Sequence, residues 1–204
     1  MGGRKLWALA KTGQEAKLKG GDKLRGYLLL ATACDGTLAT TAQFTSVRVV
    51  CNNTLQVAIG SSSGAVKVPH STQFDPRAVK EDLGLVVSSW DSFVHQIKQF
   101  SDRKVTQQEA KHYLVKVLGD MELPVEKQES KAVSKTFELF TGKAMGGALA
   151  AANGTAWGLL NSVTEYLDHL KRSRSTGHRL NSAWFGQGAN LKRRALDEAV
   201  VLVS

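Results

Sequence analysis

Leu28-Leu-Leu-Ala-Thr-Ala-Cys34, followed by Asp35-Gly36 and then by Leu38-Ala-Thr-Thr-Ala-Gln-Phe44, is the stretch that decides the fold of the N-terminal part of the chain. An Asp-Gly pair between two apolar runs favours a β-hairpin, because type I′ turns need positive φ angles. Upstream, Leu6 to Lys11 is rich in aliphatic and aromatic residues and predicts a further strand. We therefore expect a hairpin over residues 24–44 within a small antiparallel meander of three strands.

The next block, residues 45–59, has its apolar side chains at steps of three and four, which is the helical period. The pattern predicts a helix with Thr45 or Ser46 as its N-cap. On that helix Arg48 and Asn52 share one side. A polar pair at this place can bind a phosphate or a base edge, and it can equally clamp the ends of neighbouring strands.

After a short strand-like return at residues 65–70, the pattern becomes helical. Asp75 is a capping residue and Pro76 suits the first helical position, so a long amphipathic helix is expected from there to about residue 100. Thr106 and Glu109 form a capping-box pattern that opens a shorter helix. The remaining expectations are helices over residues 126–141, 155–172 and 191–203, a small-residue loop over 142–152 and a basic loop over 173–182.

The order of these elements predicts an α+β fold, with a small N-terminal antiparallel β-meander followed by a mainly helical C-terminal half. A chain of 204 residues is by default one domain. We expect a single domain over residues 1–204, with the sheet plus one helix in residues 1–74 and the helical half in residues 75–204.

The net charge of +9 is concentrated at the two ends of the chain. Residues 1–25 carry seven Lys and Arg residues against two acids, and residues 171–194 carry seven and no acid. Two basic ends predict an electrostatic face for a polyanion, most often nucleic acid. The alternative is that the basic ends only keep the protein in solution.

Aromatic residues lie among the C-terminal cations, where Trp184-Phe185-Gly186-Gln-Gly188 separates three arginines from a Lys-Arg-Arg run. Rings stack on bases and cations follow phosphates, so this order is typical of single-stranded nucleic-acid binding. One of the two adjacent rings is expected to lie in the core. The candidate nucleic-acid-binding residues are Arg48, Asn52, Arg172, Arg174, Arg179, Trp184, Lys192, Arg193 and Arg194.

Asn161, Glu165 and His169 lie one turn apart on the helix expected over residues 155–172. Glu165 and His169 can supply two metal ligands, or a general base with its orienting carboxylate. Metal sites normally need three or four ligands, and the other histidines show no companion spacing. We therefore interpret the three residues as a structural polar ladder that hydrogen-bonds this helix to the sheet.

The sequence contains no recognisable catalytic or cofactor-binding motif. Gly-x-Ser-x-Gly is absent, and so is the Walker-type Gly-x-x-x-x-Gly-Lys-Ser/Thr pattern. Cys34 and Cys51 lack metal-like spacing and are interpreted as small buried residues in a reducing compartment. We expect no enzyme activity, no metal and no cofactor, and metal-assisted chemistry at Glu165 and His169 is the least favoured interpretation.

Membrane insertion and secretion are not expected either. No apolar run reaches the ~18 residues that a spanning helix needs. The apolar stretch after Arg4 and Lys5 stops at Lys11, which is too short for a signal peptide. The sequence therefore predicts a cytoplasmic protein without a membrane partner.

Two motifs carry a resemblance to a known family. Asn153-Gly-Thr-Ala-Trp-Gly158 and Trp184-Phe185-Gly186-Gln-Gly188, with the polar-studded apolar block over residues 45–55, resemble the core of the phage- and plasmid-borne family of domain of unknown function 932. The resemblance covers nearly the whole chain. It implies a place in a mobile genetic element and no settled activity, and since the chain begins close to its first strand it also implies a shortened member.

The resemblance and the charge distribution together support two classes of function. The first is a nucleic-acid-binding protein of a mobile element that handles single strands in replication, recombination or transfer. The alternative is an inhibitor that binds a host defence protein, such as an anti-CRISPR or anti-restriction factor.

Overall fold

The N-terminal part of the protein is an antiparallel sheet. The structure is a computed structural model that describes residues 5–57, 65–73, 75–87, 89–119 and 130–204. Its strands are β1 (Lys5–Lys17), β2 (Lys23–Ala33), β3 (Thr40–Arg48), β4 (Asn53–Gln56) and β5 (Ala65–Val68). The strand order is β1-β2-β3-β4, and β5 also pairs with β3, from Thr40 opposite Val68 to Gln43 opposite Ala65.

The predicted hairpin over residues 24–44 is confirmed. β2 ends at Ala33 and β3 begins at Thr40, so the connection is longer than a two-residue turn. Gly36 has a φ of +73°, and the Asp35 carboxylate accepts a hydrogen bond from the Thr37 amide at 3.1 Å. The Asp-Gly pair therefore supplies the reversal that the sequence indicated.

The helix predicted over residues 45–59 is wrong, because this block forms the end of β3, a tight turn and β4. Asn52 has a φ of 56° and its amide donates to the Arg48 carbonyl at 2.8 Å, which closes the turn. Two short strands around such a turn also place apolar residues three and four positions apart. The β-branched Val47 favours the extended conformation of β3, whereas Val49 and Val50 lie in the turn. Residues 58 and 59 lie outside the described residues.

The described helices of the C-terminal part follow. They are α1 (Pro76–Val87), α2 (Trp90–Asp102), α3 (Gln107–Leu118), α4 (Lys131–Glu138), α5 (Ala156–Glu165), α6 (Thr176–Phe185) and α7 (Gln187–Val203). Single π-helical turns follow α4 (Leu139–Lys143) and α5 (Tyr166–Leu170). The α+β fold class is confirmed.

The helix starts were predicted better than the helix continuity. The Asp75 carboxylate accepts from the Arg77 amide at 2.9 Å, and Thr106 and Glu109 form the expected capping box. The long helix expected from Pro76 to about residue 100 is instead two helices, α1 and α2.

The loop predicted over residues 173–182 is wrong, because these residues begin the helix α6. The Ser175 side chain caps this helix by accepting a hydrogen bond from the His178 amide. Residues 126–129 of another predicted helix lie outside the described residues.

The chain divides into two compact units. The first consists of Met1–Ala16, Leu24–Val47 and Thr54–His95, and the second of Lys17–Lys23, Arg48–Asn53 and Gln96–Ser204. In the first, the rings of Phe44 and Trp90 are 5.7 Å apart and both residues are buried. In the second, α5 is buried along its whole length and α7 packs on both α5 and α6.

Candidate functional site

A buried ion pair lies at the centre of the second unit. The Arg48 Nε atom is 3.0 and 2.9 Å from the two carboxylate oxygens of Asp22, and its Nη2 atom is 2.8 Å from Oδ2. The indole N–H of Trp157 donates to the same Oδ2 atom at 3.1 Å, and the Arg48 guanidinium lies 5.8 Å from the Trp157 ring centre. The carboxylate thus accepts from two side chains on distant parts of the chain.

The same arginine holds a glycine-rich loop. Arg48 Nη2 donates to the carbonyl of Gly146 at 2.9 Å. One residue earlier, the amide of Met145 donates to both carboxylate oxygens of Glu165 at 3.1 Å. A guanidinium and a carboxylate therefore fix neighbouring backbone groups of one loop, and charge-assisted bonds of this kind are stronger than neutral ones.

Further polar groups surround this pair. The side-chain amide of Asn53 donates to the backbone and side-chain oxygens of Asn161 at 3.2 and 3.3 Å. The Cys51 thiol is buried, and desolvation raises its pKa to about 11, against a lowering by the Arg48 charge. Among the described residues, Arg48 Nη1 and Asn53 Oδ1 are buried without a hydrogen-bond partner. The arrangement fastens the β3–β4 turn, the loop and α5 to each other.

The three residues of the predicted polar ladder lie in different surroundings. Asn161 and Glu165 are buried and hydrogen-bonded within the protein. His169 is exposed, because the backbone widens into the π-helical turn Tyr166–Leu170 before reaching it. Within the described ranges there is no group of three or more His, Cys, Asp or Glu residues that could hold a metal ion. Glu165 and His169 therefore do not form a pair of ligands on one buried line.

The arginine and asparagine predicted to lie on one helix face are separated by the turn. Arg48 is 1% exposed and bound to Asp22, whereas Asn52 is exposed at the tip of the turn. A phosphate would have to displace Asp22 to reach the Arg48 guanidinium. Arg48 therefore does not belong to the candidate interface, and the predicted placement of Arg48 and Asn52 on one helix face is wrong.

The C-terminal cations lie on a set of elements that touch one another, and most are accessible. Arg172, Arg174, Arg193 and Arg194 are exposed. Lys171 is half-buried and donates to the Gln187 side chain at 3.2 Å, and Arg179 is half-buried and donates to the His169 carbonyl at 3.0 Å. These contacts join the end of the π-helical turn to α6 and to the start of α7. We call the following six residues the basic surface: Lys171, Arg172, Arg174, Arg179, Arg193 and Arg194.

Lys192 behaves differently from its neighbours. It is 5% exposed, and its ammonium lies 2.8 Å from the Asp168 carboxylate. It shares the inward face of α7 with Ala195, Leu196 and Ala199, while Arg193 and Arg194 point away from that face. Lys192 therefore neutralises a buried acid and does not belong to the basic surface.

Trp184 lies at the junction between α6 and α7. Its ring is half-buried and meets the ring of Phe185 edge-on, with the centres 6.4 Å apart. Gly186 ends α6 and serves as the N-cap of α7. Neither ring is fully buried, so the expectation that one of the two plugs the core is wrong.

The residues that the sequence did not single out are the partners of Arg48. Asp22 follows Gly20 and Gly21 between β1 and β2, outside every pattern considered in the sequence, and Trp157 appears there only within the motif that carries the family resemblance. One signal was available, since a buried tryptophan N–H normally has an acceptor. Cys34 is exposed in the hairpin connection, so the expectation that both cysteines are buried is also wrong.

Comparison with known proteins adds a family and no activity. The family model described as Domain of unknown function (DUF932) matches residues 1–184 of the chain. No curated protein and no solved structure matches it. None of the helices described by the structure is long and apolar enough to cross a bilayer.

Proposed function

The chain belongs to the family of domain of unknown function 932, and from this premise we propose that it binds single-stranded nucleic acid through the basic surface. The observation that carries the proposal is the distribution of charge in residues 169–196, which contain seven Lys and Arg residues and no acid. Lys192 is paired with Asp168, and Arg172, Arg174, Arg193 and Arg194 are exposed. Exposed cations on elements that touch one another are what a phosphate backbone requires of a binding face.

Two further features support the proposal. The N-terminus of α6 lies between Arg174 and Arg179, and its partial positive charge adds to that of the arginines. Trp184, half-buried at the end of the same helix, is an aromatic side chain on whose ring face a base can stack. Stacking needs unpaired bases, and this favours a single strand over a duplex.

The test is a binding titration over a series of salt concentrations. We expect the full chain to bind a labelled thirty-nucleotide oligothymidine with an affinity that falls as salt rises. In Arg172→Gln/Arg174→Gln the log–log slope should shrink by about 0.7 for each lost phosphate contact. Arg77→Gln/Lys80→Gln removes the same charge from exposed positions of α1 and should leave the slope unchanged. An equal loss in this control would show that only net charge matters.

Trp184→Ala separates stacking from charge. If the ring stacks on a base, the variant loses about 1–3 kcal/mol of binding energy at every salt concentration, with the slope unchanged. A melting curve on the same sample shows whether the fold is intact.

Tighter binding of a duplex of the same length would remove the single-strand part of the proposal. If the wild-type protein shows no salt-dependent affinity for DNA or RNA, the nucleic-acid proposal fails. The basic surface would then suit an acidic host protein, and inhibition of a defence system would become the better hypothesis.

A further inference from the structure

The turn before helix α5 contains the one Asn-Gly pair of the sequence, Asn153-Gly154. The pair opens the motif over residues 153–158, which the proposed function does not use. Asparagine is a chemically labile residue. The backbone nitrogen of the next residue can attack its side-chain carbonyl carbon, and a glycine there has no side chain to hinder the approach. The surroundings of the pair therefore decide whether it reacts.

The two reacting groups are accessible. The Asn153 side chain is exposed, and among the described residues it has no hydrogen-bond partner. A Cβ atom built on Gly154 would meet nothing within 4 Å. No neighbouring atom therefore crowds the place where the side chain and the backbone nitrogen would meet.

The backbone amide of Gly154 differs from those around it. The amides of Ala152 and Asn153 donate to the Leu149 carbonyl at 2.8 and 2.9 Å. The Thr155 amide donates to the Ala152 carbonyl at 3.2 Å. In the part of the chain that the structure describes, the Gly154 amide donates to no acceptor. Its nitrogen can therefore react without first breaking a hydrogen bond.

A cation contacts the same peptide group. The Lys104 ammonium donates to the Asn153 carbonyl oxygen at 2.8 Å, and this oxygen belongs to the same amide group as the Gly154 nitrogen. When that nitrogen loses its proton, resonance places part of the negative charge on the Asn153 oxygen. The ammonium stabilises that charge through a charge-assisted hydrogen bond. Lys104 therefore makes the amide proton easier to remove.

We propose that Asn153-Gly154 is a self-modification site, at which the folded protein deamidates with assistance from Lys104. The Gly154 nitrogen gives its proton to water and bonds to Asn153 Cγ. The bond from Cγ to Nδ2 then breaks, and Nδ2 leaves as ammonia after taking up a proton from water. Water hydrolyses either carbonyl of the resulting succinimide, which gives aspartate or isoaspartate at position 153. Water is the only co-reactant.

The products change the attachment of the start of α5. The Val105 amide donates to the Gly154 carbonyl at 3.0 Å. The Ala156 amide donates to the Arg103 carbonyl at 2.9 Å. Isoaspartate adds a methylene group to the main chain directly before these bonds, so the two cannot both keep their geometry. The modification therefore loosens α5 from residues 103–105, and it accumulates with time because the ammonia is lost. The inference is independent of the proposed nucleic-acid binding.

The test follows the tryptic peptide that covers residues 144–171 while the full chain is incubated at neutral pH. This peptide also contains Asn161, which is buried and hydrogen-bonded and serves as an internal control. We expect the mass gain of deamidation at Asn153, located by fragmentation, and none at Asn161. Lys104→Met should slow the conversion of the folded protein by about tenfold, the size expected for losing one charge-assisted hydrogen bond.

Further samples separate activation by the fold from the reactivity of the sequence. Lys104→Arg keeps the cation and should keep most of the rate, and Lys98→Met removes an exposed lysine of α2 and should leave the rate unchanged. In guanidinium chloride, where the contact is lost, the wild type and Lys104→Met should convert equally fast. Circular dichroism shows that each variant is folded before incubation.

Two results overturn the proposal. One is a folded protein that keeps Asn153 intact over a time in which the unfolded chain is converted. The other is a folded Lys104→Met variant that converts as fast as the wild type, since the ammonium would then have no part in the reaction.

Discussion

Asp22 and Arg48, 26 positions apart in the chain, form an ion pair in which neither side chain is more than 1% exposed. Taking both charges out of water is costly, and here the cost is offset by the three donor contacts of Arg48 to the carboxylate, by Trp157 and by the Gly146 carbonyl. Each charged side chain therefore stabilises the fold mainly by neutralising the other, which would otherwise be buried without a counter-ion.

Asp22→Ala should lower the free energy of unfolding by about 3–5 kcal/mol, because it leaves the Arg48 charge buried without a counter-ion. Urea unfolding followed by circular dichroism measures the loss. Asp22→Ala/Arg48→Met should recover part of it, and additive losses would contradict the explanation. Asp102→Ala, which removes the exposed pair with Lys19, is the surface control and should cost less than about 1 kcal/mol.

Gly146→Ala should destabilise the protein more than Gly36→Ala, although both glycines have φ near +70°. At either position, holding an alanine in the left-handed conformation lowers the free energy of unfolding by roughly 1–2 kcal/mol. At position 146 the new Cβ would also lie 2.6 Å from Val50 Cγ1 and 3.2 Å from Arg48 Nη2, whereas at position 36 nothing lies within 4 Å. Equal losses in chemical denaturation would show that the loop moves away without cost.

The two cysteines should react at very different rates with a thiol reagent at pH 8. Cys34 is exposed, whereas burial raises the pKa of Cys51 to about 11, so that about one Cys51 in a thousand is a thiolate at that pH. We expect one fast equivalent in the native protein and two after unfolding. Cys34→Ser should abolish the fast equivalent, and a fast reaction in that variant would contradict the burial of Cys51.

Glu109 should make stability depend on pH in the acid range. Hydrogen bonds from Thr106, first through its backbone amide, and from Arg103 lower its pKa to about 2. The folded state therefore favours the carboxylate, and the stabilisation is present above pH 4.5 and is lost as the pH falls through 2. The difference in unfolding free energy between the wild type and Glu109→Gln should shrink over this window. A difference that is constant with pH would exclude the ionised cap.

The sequence predicted correctly those elements whose hydrogen-bond partners lie close to them in the chain. The hairpin at Asp35-Gly36 and the caps at Asp75 and Thr106 each depend on residues within a few positions. The α+β class followed from the same signals. The helix prediction for residues 45–59 failed because the spacing of their apolar side chains suits both a helix and two strands joined by a turn. The left-handed conformation of Asn52 distinguishes the second arrangement from the first.

The buried centre could not be predicted in the same way. Arg48 depends on Asp22, upstream by 26 positions, and on Gly146, downstream by 98. No periodicity relates residues at such distances, so an arginine that fastens the core looks, in sequence, like an arginine available to phosphate. Lys192 shows the same limit, because its ion pair with Asp168, 24 positions upstream, cannot be read from a run of cations in the sequence.

Helix α5 is buried at every one of its ten positions, and this determines how the protein opens. A helix with one solvent-exposed face can open its backbone hydrogen bonds to solvent by local fraying, but α5 has no exposed face. Its amide hydrogens can exchange with deuterium only when the elements packed around it separate. The slowest-exchanging amides of the second unit should therefore lie in residues 160–165, past the first turn, and their exchange rate reports the unfolding of that unit directly.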